Sequence, residues 1–171
     1  MRRSLLCIAL LAAVIAPVAS AHNHGGDAKP ADAAAHDAHE QAKAEYHANN
    51  NKALRDKFAA NAAVYGAPTV VEFNPAEPAF GAAGSADAVL TFRNVHNGMM
   101  GDQEAGMFKG FFEVLKPGGV LGVVEHRAKA DVPDGDRSGY VSEAQVIAMA
   151  TAAGFVLEEK SEINANPRDT R

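Results

Sequence analysis

The segment from Ala86 to Glu125 constrains the fold most, because two apolar strand patterns flank one amphipathic helix there. Asp87-Ala88-Val89-Leu90-Thr91-Phe92 has the run of a buried parallel strand, and Val120-Leu121-Gly122-Val123-Val124 that of a second. Met107, Phe108, Phe111 and Leu115 recur at helical spacing between them, so the unit reads strand, crossover helix, strand. Strands joined this way belong to an open α/β sheet, whose ligands bind outside the carboxyl ends of the strands. Those ends carry Arg93-Asn94-Val95-His96-Asn97 and Glu125-His126-Arg127.

The amino terminus has a different pattern. Arg2 and Arg3 form a basic start, Leu5 to Val18 is apolar, and Ala19-Ser20-Ala21 is a small-residue cleavage signal. Residues 1–21 therefore read as an export leader; the apolar run is shorter than the roughly 20 residues of a membrane span. Cleavage before His22 leaves 150 of the 171 residues and directs the chain to the periplasm or outside the cell. The single cysteine, Cys7, lies in the leader, so the processed chain has no thiol, disulfide or cysteine metal site. Loss of Arg2 and Arg3 takes the formal charge from −5 to −7. An acidic chain with no basic run argues against nucleic acid or a membrane surface as partner.

Residues 22–45 are rich in Ala, His, Asp and Lys and hold almost no large apolar residue, which predicts a disordered or weakly helical arm. A helix is expected from about Asn51 to Tyr65, with Leu54, Phe58, Ala62 and Tyr65 on one face, stopped by Gly66 and Pro68. Thr69-Val70-Val71-Glu72-Phe73 reads as a short strand. Asp102 is placed to cap the next helix, with Glu104 in its first turn, and Lys116-Pro117-Gly118-Gly119 to end it. Ser142-Glu143-Ala144-Gln145 has the spacing of a capping box, opening a helix that Gly154 closes before the strand Phe155-Val156-Leu157.

At these residues the chain resembles the class I S-adenosylmethionine-dependent methyltransferases. The matching pieces are Asp87–Asn97 (DAVLTFRNVHN), Leu115–Gly119 (LKPGG) and Ala153-Gly154-Phe155. With Gly122–His126 (GVVEH), Ser138–Glu143 (SGYVSE) and Glu159–Thr170 (EKSEINANPRDT), it is similar to a group of exported bacterial methyltransferase-like proteins. The resemblance implies a Rossmann-like sheet with flanking helices over residues 46–171, and methyl transfer from S-adenosylmethionine to an unknown acceptor. It puts Asn94, His96 and Asn97 at the cofactor and substrate edge. His126 is the candidate general base, with Glu125 to orient it. Neighbours on a strand face opposite ways, so only one of these two faces the site unless the chain turns there. The plainer reading of Asn94, His96 and Asn97 is a loop whose side chains satisfy nearby backbone; Asp87, at the far end of its strand, reads as structural.

The chain departs from that family at the glycine-rich turn after the first strand and at the acidic residue of the second, which grip the cofactor by close backbone approach and a bidentate carboxylate. Neither is in this sequence, so weak or no cofactor binding by the chain alone is expected. The sheet is expected to be incomplete, with gaps beside its strands that invite re-pairing or self-association. The competing class is a non-enzymatic exported protein whose His-rich arm binds metal or protein. Its candidate ligands are His22, His24, His36 and His39, helped by Asp37 and Glu40; His36 and His39 would share a helical face. Deleting residues 22–45 separates the two classes.

Overall fold

The computed structural model describes residues 3–5 and 30–169, of which 3–5 and 30–34 are described as backbone only. The cleavage signal Ala19-Ser20-Ala21, His22 and His24 lie outside the described residues. In chain order the elements are β1 (Arg3–Leu5), α1 (Pro30–Ala60), α2 (Ala62–Tyr65), β2 (Ala86–Phe92), α3 (Val95–Met100), α4 (Glu104–Val114), β3 (Leu115–Val124), β4 (Arg127–Ala128), β5 (Val141–Ser142), α5 (Glu143–Ala152) and β6 (Phe155–Leu157). They form two compact units, one from β1 with residues 76–171 and one within residues 14–75. The class is mixed α/β with small parallel sheets.

The larger unit is built on a sheet of order β2-β3-β1-β6, parallel throughout, and a two-stranded parallel pair β4-β5. The β2–β3 pairing runs from Ala88↔Val120 to Phe92↔Val124, the two strands read from the sequence. Before it, Ala86 pairs with Leu115, so the Lys116-Pro117-Gly118-Gly119 segment bulges out of the ladder. The helix does stop at Val114, as proline and glycine demand, but Leu115 is already extended (φ −73°, ψ 139°) and the strand starts five residues earlier than expected. Gly118 takes φ +85°, and a Cβ on Gly119 would lie 2.9 Å from the Lys116 carbonyl oxygen. Lys116 Nζ reaches Asp87 at 2.7 Å across the bulge, a structural role for Asp87.

Two expectations about the sheet are corrected. Thr69–Phe73 is not a strand; only Phe73 has bridge geometry, and the segment belongs to the smaller unit. A β-branched run makes a strand only where a partner edge accepts it, and Pro68 and Pro75 bracket this one. The expected gap between β3 and β6 is filled by β1, with Ser4 and Leu5 opposite Val120 and Leu121 on one side and Val156 and Leu157 on the other.

The core lies between this sheet and α4 and α5. Met107, Phe108 and Phe111 are buried on one face of α4, in one cluster with Leu115, Leu121 and Phe155, and Val114 is buried at the end of the helix. Each such side chain contributes about 1.5–3 kcal/mol by leaving water. Phe112 meets Phe155 edge-on at 5.2 Å, and Phe80 stacks on Phe111 at 4.8 Å. The capping box of α5 forms as read: Gln145 N–H donates to Ser142 Oγ at 3.0 Å and Ser142 N–H to Gln145 Oε1 at 3.2 Å. Asp102 does not cap α4. It takes φ +52° in the turn between α3 and α4, and Gln103 holds the cap position without a side-chain bond.

In the smaller unit α1 begins at Pro30, far ahead of Asn51, so most of the predicted arm is helical within the described residues. Proline suits a first helical position, alanine is the best helix former, and Lys52–Asp56 at 2.6 Å adds an i,i+4 pair. No helix among the described residues is long and apolar enough to cross a membrane. Arg55 ties α1 to Glu72 at 2.7 Å, and its hydrogen bond holds that carboxyl below its ordinary range.

Candidate functional site at the carboxyl edge of the sheet

The register Phe92↔Val124 ends β2 and β3 level, so the residues that follow them meet. Arg93 donates its N–H to the Val124 carbonyl at 2.8 Å and turns the chain at φ +53° into α3. Glu125 follows Val124 and points its carboxylate at the start of that helix. Glu125 Oε2 accepts from the Val95 N–H at 2.9 Å and from the His96 N–H at 3.4 Å. Its Oε1 accepts from the His126 N–H at 2.8 Å and lies 2.9 Å from His96 Nδ1. The side chains of both partners are secluded, His96 14 % and Glu125 6 % exposed.

An ionised carboxylate only accepts, so this contact puts the His96 proton on Nδ1 and leaves Nε2 as the ring's other face to the site. The partner of Glu125 is thus His96, and the expectation that Glu125 orients His126 is corrected: β3 ends at Val124, and His126 gives Glu125 only its backbone N–H. The His126 ring lies 6.0 Å from that of His96 and 5.5 Å from that of Tyr140, both tilted. Tyr140 OH donates to Asp169 Oδ2 at 3.1 Å, so a residue near the end of the chain holds the outer ring of the row.

Asn94 and Asn97 are held locally. Asn97 Nδ2 donates to the Arg93 carbonyl at 3.3 Å and to Asn94 Oδ1 at 3.4 Å, the backbone-satisfying arrangement of the plainer reading. Tyr140, Asp169 and the His96–Glu125 pairing were not read from the sequence. The signal that finds the pair is positional: both residues stand just past the ends of two adjacent parallel strands.

A hollow of about 40 Å³ opens beside His96, walled by Met99, Tyr140, Asp102, Glu104 and residues 132–136. Gln145 pins that wall, accepting from the Val132 N–H at 3.0 Å and donating to the Val132 carbonyl at 2.8 Å. Below it, Arg127 grips Glu162 with two bonds of 2.7 and 2.9 Å and Glu143 with one of 2.7 Å, while Lys160 reaches Glu143 at 3.1 Å. Arg127 holds the carboxyls of Glu143 and Glu162 below their ordinary range, and they raise its own.

His36 and His39 are exposed on α1, and His36 has Asp37 at 3.9 Å. Among the described residues no three His, Cys, Asp or Glu side chains converge as metal ligands. Comparison with known proteins finds no matching family model, no similar curated protein and no similar solved structure.

Proposed function

We propose that the chain is an exported methyltransferase-like protein that keeps the acceptor side of a class I site and lacks the side that grips S-adenosylmethionine. The observation that carries the reading is the His96–Glu125 pair at the carboxyl edge of a parallel sheet, where α/β folds bind ligands. Glu125 orients the imidazole, and His96 Nε2 takes the proton of an acceptor hydroxyl or amine as that group becomes a nucleophile. Tyr140 lines the hollow beside His96, and the His126 ring stands 6.0 Å from that of His96 and 5.5 Å from that of Tyr140. This gives His96 the base role that the sequence suggested for His126.

The described residues do not fit the whole cofactor. A ligand site of that kind needs a cleft of roughly 300 Å³ or more, against the 40 Å³ beside His96. Among the described residues no strand of the sheet leads into a glycine-rich turn: Arg93-Asn94 follows β2, Glu125-His126 follows β3 and Glu158-Glu159 follows β6. The chain alone is then inactive, unless a partner chain or a second copy supplies the cofactor side. Calorimetric titration of the folded, processed chain with S-adenosylhomocysteine tests this. No heat of binding is expected; micromolar binding overturns the half-site reading. The alternative, metal or protein binding through His36 and His39 on α1, is tested by titrating zinc into the chain with and without residues 22–45.

A further inference from the structure

Among the described residues β2 has a ladder on one side only, since the order β2-β3-β1-β6 puts it at the edge of the sheet. It carries no proline or lysine, and Asp87 is its one charge, so it lacks the usual guards of an edge strand. The Arg93 N–H donates to the Val124 carbonyl, which places Arg93 and, by alternation, Thr91 and Val89 on the β3 side of the ladder. The N–H and C=O groups of Ala88, Leu90 and Phe92 therefore point away from β3, along the open edge. Val89 packs on the core, so the side chains of these three take the opposite face of the sheet, Ala88 exposed and Leu90 and Phe92 half-buried.

Charge selects what fits this edge, and in which register. Arg93 is exposed just past the strand and has no ion-pair partner among the described residues. Asp87, near the other end, is 84 % exposed although Lys116 reaches it at 2.7 Å. Leu90 lies midway between them. An antiparallel second copy related by a two-fold axis at Leu90 sets Leu90 against Leu90, Ala88 against Phe92 and Asp87 against Arg93. Every outward N–H and C=O group then meets an outward group of the other copy, and both charged ends are matched. Sliding the strands to the next bonded register keeps the hydrogen bonds and separates the charges.

We propose that β2 is a self-pairing edge: a second copy adds its own β2 antiparallel across a two-fold axis at Leu90, with an Asp87–Arg93 pair on each side, and the two sheets become continuous. The carboxyl edges with His96 and Glu125 then face opposite ends of the joined sheet. The pairing holds whether or not the chain transfers methyl groups.

Sedimentation equilibrium of the full chain tests it with two charge variants. The parent is expected to dimerise at micromolar concentration. Arg93→Asp and Asp87→Arg each set like charges opposite one another and should weaken self-association on the order of tenfold. Both positions are exposed, so neither change touches the core. Mixed in equal amounts, the two variants again present opposite charges across the axis, and unlike copies should associate as strongly as the parent does. A folding defect is not repaired by mixing. A monomeric parent overturns the pairing, as does a mixture that associates no better than either variant alone.

Discussion

Glu125 Oε1 lies 2.9 Å from His96 Nδ1 although the two residues are 29 positions apart, and the same carboxylate receives the Val95 and His126 N–H groups. One side chain therefore fixes a helix start, a strand end and an imidazole tautomer. Glu125→Ala should move the His96 proton from Nδ1, read by imidazole nitrogen chemical shifts. It should also cost about 1–3 kcal/mol in denaturant unfolding, the penalty of part-buried donors left unpaired. An unchanged tautomer would remove Glu125 from the site.

Gly110 is the tightest point of α4. A Cβ there would meet Phe80 Cε2 and the Pro78 carbonyl oxygen at 2.8 Å. One of these is backbone and cannot swing away. Gly110→Ala should lower stability by about 1–3 kcal/mol through overpacking, despite alanine's better helix propensity. A melt that rises would show that the Pro78–Phe80 strap is loose.

Ser142 caps α5 and also donates to the Asp131 carboxylate. Ser142→Ala should cost about 1–2 kcal/mol, toward the upper part of the range for lost caps because the Asp131 bond goes with it. Gln145→Ala should release Val132 as well, seen as faster amide exchange in the wall of the hollow. Exchange unchanged at Val132 would contradict that anchoring.

The Arg127–Glu162–Glu143 cluster ties the last stretch of chain to β4 and α5. Both carboxyls ionise more readily folded than unfolded, Arg127 being the first cause for each. Groups with depressed folded values stabilise above their unfolded value, near 4.5, and that contribution fades as pH falls through the folded values. Acidification below about pH 4.5 should therefore progressively loosen residues 158–169, and salt at neutral pH should loosen them in part. Proteolysis of this segment should rise in Arg127→Ala at pH 7, and the difference from the parent should shrink as pH falls through the lowered folded values of Glu143 and Glu162. A tail equally protected in both at pH 7 would rule the cluster out as its anchor.

The pieces legible in the sequence are those set by local rules. The α5 capping box follows from Ser142 and Gln145 three apart, and the buried stripe of α4 from the spacing of Met107, Phe108 and Phe111. Strand existence at β2 and β3 was equally readable. Pairing was not: Thr69–Phe73 has strand composition and no ladder, while Arg3–Leu5 has leader composition and a ladder on each side. The short helix α3 was missed because polar Asn94, His96 and Asn97 mask its turn, and because Glu125, distant in sequence, completes its first bonds. Extra residues in the Lys116–Gly119 bulge similarly hide where β3 begins.

That bulge separates two jobs along one strand. At its start β3 absorbs irregular chain between Leu115 and Val120; from Ala88↔Val120 onward the alignment is unbroken to Phe92↔Val124. Length changes near Gly118 can be taken up locally, whereas a slip of one residue beyond Val120 would bring Val124 or His126 to the helix start instead of a carboxylate. The His96 tautomer thus works as a gauge of strand alignment, reporting from the far end of the sheet whether β2 and β3 have found each other in phase.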